Sequence, residues 1–203
     1  MKWYIILALV SFSICLLSCL YHFIRIIRLG KPVDYTEPIG KIGSAVAYSF
    51  TGGMSPAKKE SAYLHIPTYT AGMIYHVGTS LSFALFFCFL FNIYFNEIID
   101  SIISGFLIIS GLCGIGIFIK RMVKKELKSI SNPDDFISNL LVTLFQFITA
   151  VNLNFSTPVY FVLTSILFLY LPLGKLKHTI YFFAARYHLG FFYGKRSVWP
   201  PKD

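Results

Sequence analysis

The chain has 203 residues, of which 56% are hydrophobic and only 13% are charged. A soluble domain is usually about 25% charged, so this composition excludes an ordinary soluble protein and predicts an integral membrane protein. A formal net charge of +9 is compatible with binding to nucleic acid or to anionic lipid, but the positions of the basic residues follow a membrane topology. We therefore predict lipid contacts and no nucleic-acid partner.

Five apolar segments are long enough to cross a bilayer. The first of them is long, and its positive charges follow rather than precede it, so we interpret it as a span and not as a signal peptide. The predicted fold is an all-α integral membrane protein, with residues 1–203 forming a single membrane domain. We expect five transmembrane helices, at about 3–24, 70–95, 101–119, 136–153 and 157–180.

The basic residues predict the orientation. Seventeen of the 18 Lys and Arg residues lie in the connector 25–65, in the connector 120–135 or from residue 175 onward, and only Lys2 lies elsewhere. Five alternating spans bring these segments to one face, which the positive-inside rule makes cytoplasmic. We therefore expect an outside N-terminus, a cytoplasmic C-terminal tail at 181–203, and a location in the cytoplasmic (inner) membrane.

The connector 25–65 contains two helix signals. Residues 39–50 match an amphipathic interfacial helix. Ser55 followed by Pro56 resembles an N-cap with proline at the first helical position, and we expect that helix to run on into the second span. The connector is either a solvated loop or a docking surface for another subunit.

Two histidines carry the functional prediction. His76 lies inside the second span, where an ionisable side chain is costly and indicates a functional site by default. A neutral imidazole suits haem iron. The topology brings His76 and His178, near the end of the fifth span, to similar depth on antiparallel helices, from which they could ligate one haem iron. The alternative for His76 is a hydrogen bond to a neighbouring helix.

The positions of the other histidines in the sequence give weaker indications of function. His65 precedes His76 by eleven residues, which on a continuous helix puts both on nearly one face, about 16 Å apart. We interpret His65 as an interfacial residue, with contact to a quinone or a haem propionate, or ligation of a second haem, as alternatives. His22 is predicted to snorkel toward lipid head groups, with ligation as the alternative. His188 is predicted to lie at the cytoplasmic surface.

Three segments resemble a known family. They are Ile-Tyr-His-Val-Gly at 74–78, Leu-Pro-Leu-Gly-Lys-Leu-Lys-His at 171–178, and the stretch from Asp135 to Gln146. In order and topology they resemble the gamma (cytochrome b) subunit of respiratory nitrate reductase. They are also similar to the membrane subunits of heterodisulfide-reductase-like and sulfite-reduction complexes. The resemblance covers the second to fifth spans.

The resemblance implies a cytochrome b subunit with His76 and His178 as axial ligands of one haem b. The family's ligands for a second, outer haem would fall at Phe86 and Tyr160, so the resemblance implies that this second haem is lost. It also implies electron transfer between the quinone pool and an iron–sulfur partner on the cytoplasmic face. That partner would be heterodisulfide-reductase-like or ferredoxin-like, within a hetero-oligomeric complex.

Two other classes compete with this interpretation. A haem-free structural anchor would have the same spans without needing paired histidines. A transporter subunit predicts charged residues at mid-membrane depth and internal repeats, and the sequence has neither. Since no soluble catalytic motif is present, we expect an electron-transfer subunit rather than a stand-alone enzyme. Basic residues available to haem propionates are Arg25, Lys175 and Lys177.

Overall fold

The computed structural model describes residues 2–29, 35–56, 64–155 and 157–201. Every regular element in these ranges is helical, which confirms the predicted all-α fold. Short 3₁₀ turns occupy Gly52–Met54 and Lys175–Lys177. The α-helices are α1 (Trp3–Leu29), α2 (Ile42–Phe50), α3 (Ile66–Leu90), α4 (Glu97–Val123), α5 (Lys125–Ser129), α6 (Pro133–Asn154), α7 (Pro158–Tyr170) and α8 (His178–Lys195).

Four of these helices, α1, α3, α4 and α6, are long and apolar enough to cross a membrane. Helices α7 and α8 meet that test together, although they are bent by 69° at the break between them. The described residues therefore contain four candidate spans, or five if the bent pair crosses as one. The chain is a multi-pass helical membrane protein.

The predicted fifth span at 157–180 differs from the structure, because the helix stops in the middle of it. Helix α7 ends at Tyr170. Pro172 has no N–H to donate, and its ring collides with the preceding turn of a helix. Gly174 lies so close to the Tyr170 ring that a Cβ has no room. The predicted tail at 181–203 is also largely helical, since α8 continues to Lys195.

The start of α3 corrects a second expectation. Most of the helix predicted from Ser55 into the second span, residues 57–63, lies outside the described residues. Leu64 and His65 form a turn, and α3 begins at Ile66. Pro67 is its second residue, in the first turn, where the missing N–H costs nothing. The placement of His65 on the helix face of His76 is therefore wrong, because His65 precedes the helix.

Polar caps define two other helix starts. The Asn96 side chain accepts a hydrogen bond from the Ile99 N–H and caps α4. At α6, Asn132 and Asp135 form a reciprocal capping box, in which each side chain accepts from the other's backbone N–H. Such caps satisfy N–H groups that have no partner within the helix. Both starts are fixed by local sequence.

The chain divides into two compact units, and α1 belongs to both. The first unit contains residues 1–15 and 66–176, and the second contains residues 16–65 and 177–203. In the first unit, α3, α4 and α6 pack against one another, with α7 on α6. In the second unit, α2 packs against α8.

Glycine allows the close approach of α2 and α8. Gly190 lies against Val46, and Gly194 lies against Ala45 and Ile42. The spacing Gly-x-x-x-Gly is the one that lets two membrane helices approach closely. The predicted interfacial helix at 39–50 thus exists from Ile42 to Phe50, and one of its sides is covered by α8.

Candidate functional site

His76 lies on α3, and its side chain is exposed. The buried face of α3 is formed by Tyr75, Gly78, Ser82, Leu85 and Phe86. At 3.6 residues per turn, His76 lies roughly 120° from the centre of that face. One turn earlier, a Cβ added to Gly72 would meet nothing within 4 Å. The imidazole therefore stands on an open flank of the helix.

The same flank of α3 is covered further along. Phe83 stacks on Phe168 of α7 at a ring-centroid distance of 5.9 Å, and Phe87 meets Phe12 of α1 edge-on at 5.4 Å. These residues follow His76 by seven and eleven positions, which is about 10 and 16 Å along the helix axis. Helices α1 and α7 thus cover the flank at that level, while the flank is open at His76.

The level that is covered contains the two positions expected for outer-haem ligands. Phe86 is fully buried, with the rings of Phe12 and Phe168 at 6.1 and 5.0 Å. Tyr160 is also fully buried and is 5.2 Å from Phe89. We call nine connected rings at this level the aromatic cluster; its members are Phe12, Phe83, Phe86, Phe87, Phe89, Phe145, Tyr160, Phe161 and Phe168.

The backbone that carries His76 is braced by α6. Gln146 is fully buried, and its Nε2 donates to the Tyr75 carbonyl at 3.0 Å and to Thr79 Oγ1 at 2.8 Å. The Tyr75 hydroxyl is 3.0 Å from Thr143 Oγ1. Hydrogen bonds are electrostatically stronger in a medium of low dielectric constant than in water. The residue before His76 is therefore held by a neighbouring helix.

Helix α4 braces the same turn from another direction. Ser110 Oγ donates to the Ile74 carbonyl at 3.0 Å. A Cβ on Gly78 would collide with Ser110, so glycine is what permits this approach of α4. Sequence reasoning treated none of these polar residues as part of a site. The sequence feature that could have identified them is a Ser, Thr or Gln in the middle of an apolar span. Polar side chains at such positions usually form hydrogen bonds between helices.

His178 is the first residue of α8, directly after the 3₁₀ turn, and its side chain is exposed. The segment before it is anchored within the first unit, where Lys175 forms an ion pair with Asp135. Arg121 pairs with the same carboxylate at 3.0 Å. The Lys175 ammonium group thus has a protein carboxylate as its partner.

The five histidines are divided between the two units. His76 belongs to the first unit, and His178 to the second, so their pairing stays a prediction from the sequence. His65 is exposed in the turn before α3. His22 is half-buried on α1, with its ring 5.6 Å from that of Tyr21. His188 is half-buried on α8, and its Nε2 is buried without a hydrogen-bond partner.

The fold and the site define a class, a multi-pass all-helical membrane protein with a histidine exposed on one of its spans. Within the described ranges, no group of three or more His, Cys, Asp and Glu side chains is arranged to hold a metal ion. Comparison with protein-family models, with curated proteins and with solved structures finds no match to this chain.

Proposed function

We propose that the chain is the membrane subunit of a respiratory redox complex and binds one haem b through His76 and His178. In this proposal it passes electrons between the quinone pool and an iron–sulfur partner protein. The observation that carries the proposal is the contrast along α3. The flank is open at His76, and it is filled by the aromatic cluster at the level of Phe86 and Tyr160.

Two features of the residues around His76 support the proposal that a haem binds there. A porphyrin needs an exposed imidazole and free space beside it, and the open position at Gly72 supports this fit. The braces from Gln146 and Ser110 support a fixed ligand, because partners that hold the ligand's surroundings set its orientation. When bound, the haem would supply one-electron redox chemistry, and the protein would supply ligands, position and a low dielectric constant.

The partners in this proposal follow from the charge distribution. The basic segments would face the cytoplasm under the positive-inside rule, and they would form the docking face for the iron–sulfur subunit. Asp135 neutralises part of this charge by pairing with Arg121 and Lys175. Quinone would reach the subunit from the bilayer, and His65, exposed before α3, is available to its head group.

A spectroscopic experiment tests the proposal. The chain, expressed with excess haem supply and purified in detergent, should give a reduced-minus-oxidised spectrum of low-spin haem b, and a short-chain quinol should reduce that haem. A chain that folds as a helical membrane protein but binds no haem would contradict the proposal. That result would favour the haem-free structural anchor.

A further inference from the structure

Helix α6 carries a row of buried polar side chains along almost its whole length. From Asp135 to Asn152 the row covers about 26 Å, close to the thickness of a bilayer's hydrocarbon core, about 30 Å. Polar groups at such depth are costly unless they are paired or hydrated. The members on α6 are Asp135, Ser138, Thr143, Gln146, Thr149 and Asn152.

Hydroxyl groups of neighbouring helices extend this row. Ser138 Oγ is 3.2 Å from the Tyr170 hydroxyl of α7. Thr143 Oγ1 is 3.0 Å from the Tyr75 hydroxyl of α3, and Gln146 Nε2 donates to Thr79 Oγ1. We call the row on α6 with these neighbours the polar seam. It lies entirely within the first unit.

Hydrogen bonds between helices explain part of the polar seam, since polar side chains commonly join membrane helices. They do not explain the unpaired polar atoms within the polar seam and beside it. The side chains of Gln146 and Tyr160 are fully buried. Even so, Gln146 Oε1 and the Tyr160 hydroxyl have no hydrogen-bond partner. The Tyr160 hydroxyl is near Thr149 and Thr164, but it forms no bond of good geometry with them.

Two further unpaired atoms mark one end of the polar seam. Thr157 Oγ1 is buried without a partner, and the Thr157 N–H donates to Asn152 Oδ1 at 2.9 Å. Asp100 Oδ1 is also buried and unpaired. Ser104 of α4 donates to the Ala150 carbonyl of α6, so Asp100, one turn before Ser104, lies at the Asn152 end.

Buried unpaired polar atoms in native proteins are usually satisfied by internal water. Four such atoms lie in the first unit, on Gln146, Tyr160, Thr157 and Asp100. The row on α6 continues from Gln146 to Asp135, whose carboxylate pairs with Arg121 and Lys175. Hydroxyl groups, amides and waters in sequence are the components of a hydrogen-bonded chain that can relay protons.

We propose that the polar seam holds a chain of internal water molecules and conducts protons between its Asp135 end and its Asp100 end. Each hydroxyl group or water accepts a proton from one neighbour and releases one to the next, so that one proton enters as one leaves. The pH difference across the membrane drives the flow, and no redox partner is required. This function does not depend on haem.

A flux measurement tests the proposal. The purified full chain is reconstituted into liposomes that contain a trapped pH-sensitive dye, with valinomycin and potassium to balance charge, and an external acid pulse is applied. The expected result is acidification faster than in protein-free liposomes of the same lipid. Equal rates with and without the folded protein would overturn the proposal.

Variants connect the flux to the polar seam. Gln146→Met keeps the side-chain volume but removes the amide. Tyr160→Phe removes only a hydroxyl group without a partner, so it should fold normally. Both should lower the rate to that of protein-free liposomes. Ser11→Ala, at a buried serine of α1 outside the seam, is the control and should conduct like the wild type. An unchanged rate in folded Tyr160→Phe protein would overturn the proposal.

Discussion

Two levels of α3, about ten residues apart, differ in what covers the same flank of the helix. Around His76 the sequence is Ala-Gly-Met-Ile-Tyr-His-Val-Gly-Thr-Ser, and its small residues leave the flank open. Around Phe86 it is Leu-Ser-Phe-Ala-Leu-Phe-Phe-Cys-Phe, and the rings fill the flank with the help of α1 and α7. One membrane span thus contains a closed layer of packed rings and an open layer around an exposed histidine.

The closed layer is stabilised by ring contacts as well as by packing. Aromatic pairs contribute about 0.5–1.5 kcal/mol each beyond the area that they bury. The open layer has a different support. The backbone just before its exposed histidine is held by hydrogen bonds from Gln146 and Ser110.

The largest expected effect comes from substitutions in the open layer, at the level of His76. His76→Ala should abolish the low-spin haem b signal, because one of the two proposed axial ligands is lost, and His178→Ala should do the same. His65→Ala is the matched control and should leave the signal largely intact, since His65 lies in the turn before α3. Reduced-minus-oxidised spectra of the three purified variants measure this. A normal signal in His178→Ala protein would show that the pairing is wrong.

On the closed level we expect a loss of stability instead. Phe86→Ala should destabilise the chain by about 3–5 kcal/mol, as truncation of a fully buried aromatic side chain does, while its haem content stays unchanged. The neighbouring Phe87, which is 38% exposed, provides the control, and Phe87→Ala should cost clearly less. Thermal unfolding in detergent measures both. Equal costs would mean that the aromatic cluster is not a closed layer.

Two glycines of α3 give a smaller and more local comparison. A Cβ at Gly78 would collide with Ser110, with Gln146 Oε1 only 3.2 Å away. Gly78→Ala should therefore cost about 1–3 kcal/mol of stability. Gly72→Ala has open space and should be neutral or stabilising by up to about 1 kcal/mol, because alanine favours a helix more than glycine does. If Gly72→Ala destabilised the chain more than Gly78→Ala, the open flank of α3 would not be at Gly72.

Hydropathy was sufficient to predict the all-α fold and the four long spans, because the charged residues of these four helices lie near the helix ends. Hydropathy did not predict the break in the helix after Tyr170, although the sequence contains Pro172 and Gly174 at this point. The apolar run continues across them, and hydropathy does not detect a missing N–H. Hydropathy also did not predict that α3 begins at Ile66. The turn before this helix and the first turn within it do not differ in composition in a way that hydropathy detects.

The site was less predictable than the fold. Tyr75 and His76 are neighbours on a helix that is apolar on all sides, so periodicity could not indicate which of them is buried. The polar row on α6 could have been found, because Ser138, Thr143, Gln146 and Thr149 recur at helical spacing. Each of them is uncharged, however, and only packing reveals that all four face inward.

The number of haem groups per chain tests the comparison between the two levels most directly. The purified chain, loaded with haem and measured by pyridine haemochrome against amino-acid analysis, should bind one haem b per polypeptide, because the level of His76 is open and the level of Phe86 and Tyr160 is filled by rings. A ratio of two would show that the aromatic cluster admits a second haem, and a ratio of zero would contradict the function proposed for His76.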